Sequence, residues 1–191
     1  AQRNQTGRKK RDAQLGIIEG VDGIKDSDSV RTEHMRTAKT QGYNCYIYAP
    51  KNESVLRSQW TDVYPQNFKY RLTQMARTAH SLSLSFGIGL SPLNLSANFD
   101  AQKSLFCDKI LELLELTHPE IFCLLFDDVK VDSENQGLLQ NEIIKKALEL
   151  MPASVTKLLV CPTFYSFDPV LEKLFGHCSE HYFKDLLQDL P

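Results

Sequence analysis

The sequence predicts an α/β fold of the (β/α)8 TIM-barrel type, with only about the first five βα units present in this chain. Three observations support this prediction. Short apolar runs alternate with longer segments of helical period, nearly every run is followed by a polar or reactive side chain, and no glycine-rich phosphate loop follows the first run. With 191 residues, 42% of them hydrophobic, the chain can bury a substantial core.

The predicted strands are the short apolar runs that are rich in β-forming residues. They cover residues 15–18, 45–48, 84–90, 121–126 and 157–161. Segments of helical period flanked by turn formers are predicted to be helices at 29–41, 66–82, 99–116, 136–150 and 179–189. Such alternation indicates parallel strands joined by right-handed crossovers, which leaves a doubly wound sheet or a barrel.

The residues after the strands favour the barrel. Gly16, Gly20 and Gly23 do not form the G-x-G-x-x-G pattern of a dinucleotide-binding sheet. Polar residues that follow the runs are Glu19, Lys51, Ser91, Asp127, Asp128 and Tyr165. Because barrel enzymes build their active sites from the carboxyl ends of several strands, we expect these side chains to meet at one mouth. Five units fall short of eight, so we expect the barrel to continue beyond this chain.

Composition divides the chain into two parts. Residues 1–14 are polar and basic and have almost no apolar side chain to anchor them, so we predict a disordered tail there. Residues 15–191 form the predicted partial barrel and catalytic domain. Lys and Arg number 22 against 24 Asp and Glu, and no run approaches the roughly 20 apolar residues of a membrane span. We therefore expect neither nucleic acid nor a membrane as a partner.

Cysteine and histidine usage bears on location and cofactors. The five cysteines are an odd number without a C-x-x-C pair, and three of them lie inside apolar runs, which is typical of reduced thiols in a cytoplasmic protein. The five histidines have no spacing typical of metal ligands. We expect a cytoplasmic protein that needs no metal and no other cofactor.

The strongest chemical signal is a buried strand that ends in two adjacent carboxylates, Asp127 and Asp128. Two like charges in a partly dry cleft favour one protonated acid beside one ionised base, as glycoside hydrolysis requires. Two other interpretations compete with this one. The pair can simply cap the next helix, or it can serve phosphoryl transfer with magnesium, although the aspartyl nucleophile motif Asp-x-Asp is not met because Val129 follows the pair.

Two further side chains are candidates for contact with substrate. Lys51 follows Tyr48-Ala-Pro and could hold a sugar hydroxyl, although taken alone it is more typical of a solvated lysine. Tyr165 could donate a hydrogen bond to charge that develops on the substrate, although taken alone it is more typical of a packing residue.

Taken together, the strand ends resemble glycoside hydrolase family 84, which holds protein O-GlcNAcases and bacterial β-N-acetylglucosaminidases once described as hyaluronidases. The resemblance runs from Gly16 to about Leu190 and is carried by five motifs in order. They are Gly16-Ile-Ile-Glu-Gly20, Tyr46-Ile-Tyr-Ala-Pro-Lys51, Gly89-Leu-Ser-Pro92, Leu124-Leu-Phe-Asp-Asp128 and Leu159-Val-Cys-Pro-Thr163.

This resemblance implies a β-N-acetylglucosaminidase with a retaining, substrate-assisted mechanism. The acetamido oxygen of the sugar would attack C1 and form an oxazoline, so no enzyme nucleophile is needed. By position in the motif, Asp127 would accept the acetamido N–H, and Asp128 would protonate the leaving oxygen and later activate water. Gly20 through its backbone, Lys51 and Tyr165 match positions that contact N-acetylglucosamine. The implied partner is an N-acetylglucosamine-containing glycoside or glycoprotein.

The sequence departs from the family pattern at two places. Val21 and Asp22 stand where the family usually has an aromatic pair, and the tryptophan, asparagine and aspartate of later strands have no counterpart in this chain. These departures support an alternative, a catalytically inactive carbohydrate-binding or scaffold relative of the same fold. The retained carboxylate pair favours the enzyme, and five motifs in order argue against an unrelated α/β protein.

Overall fold

A five-stranded parallel sheet is the centre of the protein, which we describe from a computed structural model that covers residues 14–20, 27–129 and 133–191. The strands are β1 (Gly16–Glu19), β2 (Cys45–Tyr48), β3 (Ser85–Leu90), β4 (Ile121–Leu125) and β5 (Lys157–Cys161). All five predicted strands are confirmed, and β2 and β5 have the predicted bounds. Residues 1–13 of the predicted tail lie outside the described residues, so the tail stays a prediction.

Helices follow the strands along the chain. They are α1 (Asp28–Thr40), α2 (Gln66–Ser81), α3 (Phe99–Thr117), α4 (Gln136–Leu150), α5 (Pro169–Phe175) and α6 (Tyr182–Leu186). The sequence analysis missed α5, although Asp168 caps its first turn by accepting from Val170 N and Pro169 opens it. The helix predicted at 179–189 is shorter, because only its central turn is helical.

The strand order decides between the two predicted architectures. Neighbouring strands are neighbours in sequence, from β1 to β5, and every pair is parallel. A doubly wound sheet reverses its order at a switch point and carries helices on both faces, whereas a barrel keeps the chain order and places its helices on one face. The described part of the chain therefore has the barrel arrangement, with five of its βα units.

The two faces of the sheet are packed differently. On the helix side, Phe86, Ile88, Phe122 and Leu124 are fully buried in one large core with side chains of the helices. The opposite face, which would line a barrel interior, holds a separate small cluster of buried side chains: Cys45, Ile47, Ile121 and Cys123. The helix face therefore carries most of the core, and the other face is free to shape a cavity.

Glu19 lies on the helix side of the sheet, where it forms a buried ion pair. Its carboxylate accepts from Arg31 Nη2 at 2.7 Å and from the phenol of Tyr46 at 2.5 Å. Burial, together with the hydrogen bond to Glu19, raises the pKa of Tyr46, so the phenol stays protonated and donates. The expectation that Glu19 faces the mouth with the other strand-end residues is therefore wrong, and its role is to anchor α1 to the sheet.

Replacing Arg31 with methionine will destabilise the fold, because it leaves the buried Glu19 carboxylate without its counter-charge. We expect a loss of about 3–5 kcal/mol in the free energy of unfolding, measured by urea denaturation. Arg36→Met is the matched control on the same helix, since among the described residues Arg36 pairs with the exposed Glu33 alone, at 3.8 Å, and its loss should cost less than about 0.5 kcal/mol. Equal losses in the two variants would contradict the anchoring role.

Within the three described stretches, no helix has the length and apolarity needed to cross a membrane.

Candidate active site

The two carboxylates lie side by side where β4 ends. Asp127 is 22% exposed and Asp128 is 45% exposed. Adjacent residues of a regular strand point to opposite faces, but Asp128 has a left-handed backbone with φ of 59°. Aspartate tolerates that conformation better than most residues. The backbone turn lets both side chains reach the same group of cations.

Both cations come from the connection between β2 and α2. Lys51 stands three residues after β2, and Arg57 ends a short 3₁₀ helix that spans Ser54–Leu56. Lys51 Nζ lies 2.8 Å from Asp128 Oδ2 and 3.5 Å from Asp127 Oδ2. Arg57 Nη2 donates to Asp128 Oδ2 at 2.9 Å, and Arg57 Nη1 lies 3.3 Å from Asp127 Oδ2. Two carboxylates and two cations therefore form one compact network.

The segment between β2 and α2, which carries Lys51 and Arg57, is held against the end of the neighbouring strand β3. Ser91 N donates to Leu56 O at 2.8 Å, and the buried indole of Trp60 donates to Leu93 O at 3.1 Å. At the other end, the phenol of Tyr48 donates to the buried carboxylate of Glu53 at 3.0 Å. These contacts hold the segment from Lys51 to Trp60 against the carboxyl ends of β2 and β3.

The electrostatics of the network keep Lys51 charged. Its hydrogen bond to Asp128 is the largest influence and raises the pKa of the ammonium, against the opposing effect of burial. The lysine is therefore a permanent donor at neutral pH. It can serve a sugar hydroxyl only by sharing its protons with the carboxylates.

One oxygen of Asp127 remains without a donor. Its Oδ1 atom is shielded from solvent and has no hydrogen-bond partner among the described residues, whereas Oδ2 lies near both cations. A buried acceptor left unpaired is unfavourable by about 1–3 kcal/mol. Because this atom is shielded, a ligand N–H can reach it only after the carboxylate rotates.

A cavity of about 340 Å³ lies beside this network, on the face of the sheet away from the helices. Its polar lining includes Lys51, Arg57 and Asp127, and its apolar lining includes Ile47 and Leu125. A side chain at Gly89 would fill part of this space, because a Cβ there would lie 2.6 Å from the Cβ of Ala49. The absence of a side chain at Gly89 therefore leaves this part of the cavity open.

The structure brings together most, but not all, of the predicted site residues. Gly20 lines the cavity, with Lys51 and Asp127, and Asp128 joins them through its ion pairs. Tyr165 lies in the segment between β5 and α5, is 74% exposed and does not line the cavity. Val21 and Asp22 lie outside the described residues. The substrate contacts of Gly20, Lys51 and Tyr165 stay predictions.

Arg57 is the site residue that the sequence analysis missed. It does not follow a strand directly, so the strand-end argument could not find it. The signal that was available is its position in the same connection as Lys51, nine residues before the predicted start of a helix at 66 and three before Trp60. Only the path of that connection shows that the guanidinium turns back towards β4.

Three thiols lie on the same face of the sheet as the cavity. Cys123 and Cys161 line the cavity, and Cys45 packs beside Cys123. Burial, followed by the neighbouring thiols, raises the pKa of Cys123 to about 12, and burial also raises the pKa of Cys45 and Cys161. Because the thiolate is the reactive form, these cysteines are poor nucleophiles at neutral pH.

Iodoacetamide at pH 7.5 should therefore leave Cys45 and Cys123 unmodified in the native protein and modify them in urea. Cys107, which is partly exposed on α3, is the internal control and should be modified first. Peptide mass spectrometry after timed labelling measures this order. Rapid native labelling of Cys123 would show that the inner face of the sheet is open to reagents and would contradict its burial.

No cluster of three or more His, Cys, Asp or Glu side chains suited to a metal ion occurs among residues 14–20, 27–129 and 133–191.

Fold and site together define a class of protein, the (β/α)-barrel proteins that carry an acidic pair at the carboxyl end of a strand. The sequence model of the beta-N-acetylglucosaminidase family matches residues 15–191, so the chain belongs to that family. The predicted resemblance is confirmed.

Two solved structures extend this comparison. CpGH84B is similar with a TM-score of 0.76 and 23% identity, over 93% of this chain and 32% of that one. A mutant of the O-GlcNAc hydrolase of Thermobaculum terrenum is similar with a TM-score of 0.74 and 25% identity, over 93% of this chain and 39% of that one. The present chain thus spans 32% and 39% of the length of these two structures.

Proposed function

We propose that the protein to which this chain belongs hydrolyses β-linked N-acetylglucosamine from glycosides or glycoproteins. The observation that carries this proposal is the pair Asp127 and Asp128 beside a cavity that Asp127 lines. The Asp127 carboxylate would accept the acetamido N–H of a sugar bound in that cavity. Family membership supports the same substrate class, since the family is that of the beta-N-acetylglucosaminidases.

The proposed mechanism is retaining and substrate-assisted. In the first step the acetamido oxygen attacks C1, the bond from C1 to the leaving oxygen breaks, and Asp128 gives its proton to that oxygen. Asp127 stays ionised and accepts the acetamido N–H, which stabilises the positive charge of the forming oxazoline. In the second step water attacks C1 while Asp128 takes its proton, and the oxazoline opens to the acetamide. No carboxylate attacks the sugar.

The exposure of the two carboxylates, rather than the cations, separates these roles. Lys51 and Arg57 contact both carboxylates, at 3.5 and 3.3 Å from Asp127 Oδ2 and at 2.8 and 2.9 Å from Asp128 Oδ2. Asp128 is the more exposed of the two, as expected for a group that exchanges protons with the leaving oxygen and with water. Its Oδ2 is held by both cations, so Oδ1 would carry the proton.

The test is release of 4-methylumbelliferone from its β-N-acetylglucosaminide by the full-length natural protein and by the 191-residue chain. Each is assayed beside its Asp127→Asn variant, which removes any activity of contaminating enzymes from the comparison. Activity that depends on Asp127 supports the proposal. A folded full-length protein that binds N-acetylglucosamine but releases no fluorophore would instead support the inactive carbohydrate-binding alternative.

A cytoplasmic location is a further part of the proposal. All five cysteines are free, and three of them lie on one face of the sheet without forming a disulfide. Free thiols of this kind suit a reducing compartment. Cell fractionation with an antibody against the protein tests the location.

A further inference from the structure

We propose that Arg57 is a positioning residue that fixes the orientation of the Asp127 carboxylate relative to Asp128 before the acetamido group binds. This inference rests on the proposed function, because it concerns how the same site recognises the acetamido group. It assigns Arg57 a role that is separate from the substrate contact predicted for Lys51.

The guanidinium of Arg57 contacts Asp127, Asp128 and Ser91 at the same time. Nη1 lies 3.3 Å from Asp127 Oδ2 and donates to Ser91 Oγ at 3.2 Å. Nη2 donates to Asp128 Oδ2 at 2.9 Å and reaches the main-chain oxygen of Asp127 at 3.4 Å. One guanidinium therefore touches the side chain and the backbone of Asp127 and the side chain of its neighbour.

Lys51 does not duplicate this arrangement. Its single ammonium contacts the same two carboxylate oxygens. Unlike a guanidinium, an ammonium has no rigid planar set of donors, so it does not fix the orientation of the two carboxylates relative to each other. Lys51 is 34% exposed, whereas Arg57 is only 13% exposed. The planar guanidinium, held by Ser91 and by the fixed connection around it, is thus the better determinant of geometry.

The consequence concerns the two oxygens of Asp127. Both cations occupy the side of Oδ2, while Oδ1 is shielded from solvent and has no donor among the described residues. Without the guanidinium, rotation of the carboxylate would let either oxygen pair with Lys51. The orientation of the Asp127 carboxylate would then no longer be set before the substrate arrives.

A double-mutant cycle tests the inference in the full-length protein, with a thiazoline analogue of the N-acetylglucosamine oxazoline as the probe. The dissociation constant is measured by calorimetry for the wild type, Arg57→Met, Asp127→Asn and the double variant. If Arg57 acts through Asp127, each single change should weaken binding on the order of 10–100-fold, and the double variant should bind within about threefold of the weaker single variant.

Arg71→Met is the matched control. Arg71 contacts the buried Glu53 of the same connection at 3.5 Å, and it is not among the partners of either aspartate. A loss caused by loosening of the connection should combine additively with Asp127→Asn. Circular dichroism checks the fold of each variant. If Arg57→Met does not fold, Arg57→Lys, which keeps the charge but lacks the planar guanidinium, replaces it in the cycle.

Three outcomes are distinguishable. Non-additive losses at Arg57 with additive losses at Arg71 support the positioning role. Additive losses at Arg57, in a wild-type protein that binds the thiazoline and releases 4-methylumbelliferone, would overturn this inference and leave the proposed function intact. A folded wild-type protein that neither binds nor hydrolyses would overturn the proposed function, and the role of Arg57 with it.

Discussion

Replacing Asp128 with asparagine will lower kcat/KM for N-acetylglucosaminides with poor leaving groups, such as alkyl glycosides, on the order of 10²–10⁴-fold. Substrates with good leaving groups, such as nitrophenolates, will lose much less in their first step. The reason is that only the departure of a basic oxygen needs a proton from Asp128. A series of aryl and alkyl glycosides measured with both proteins gives the dependence of rate on leaving group, which should be steeper in the variant.

Asparagine is the appropriate substitution because of the backbone at this position. Asp128 has φ of 59°, a conformation that asparagine adopts with little strain and that β-branched residues do not. A change in activity can then be attributed to the lost acid rather than to a displaced strand end. Equal losses across the series would assign the acid role to another group.

Replacing Asp127 with asparagine will reduce kcat/KM for good and poor leaving groups alike, on the order of 10²–10³-fold, the range for loss of one preorganised electrostatic group. Attack by the acetamido oxygen precedes or accompanies departure in every case, so no leaving group can bypass it. The substitution also leaves Lys51 and Arg57 without one of their two carboxylates. Steady-state kinetics on the same series of glycosides measures the loss.

The two aspartates thus provide controls for each other. The Asp127→Asn variant should lower kcat/KM by a similar factor for every glycoside in the series. The Asp128→Asn variant should instead make the dependence of kcat/KM on the leaving group steeper. Full activity of Asp127→Asn would remove this residue from the mechanism. A steeper slope for Asp127→Asn than for Asp128→Asn would show that the two roles are exchanged.

The alternation of apolar runs and helical segments was sufficient to predict the strands and most of the helices, because the three central strands are apolar and buried along nearly their whole length. The helix Pro169–Phe175 was missed although Asp168 and Pro169 mark its start, since seven residues are too few to show a periodic pattern. Strand-end position identified Asp127 and Asp128 correctly as neighbours of Lys51.

The same argument failed where side-chain direction mattered. Glu19 follows β1 as directly as the aspartates follow β4, but it points towards α1 and binds Arg31. A one-residue change in register reverses the face of a strand, and the sequence alone does not fix that register at a strand end. Arg57 was missed for a different reason, because its position depends on the path of a nine-residue segment after β2.

The fixed connection between Lys51 and Trp60 has a consequence for how a ligand would be received. Its backbone bond to Ser91 and the buried indole of Trp60 mean that the two cations are ordered before any sugar arrives. Binding then loses little conformational entropy on this side of the cavity, and the charges need little reorganisation as positive charge develops on the sugar. Slow exchange of the Ser91 amide hydrogen is the signature of that rigidity.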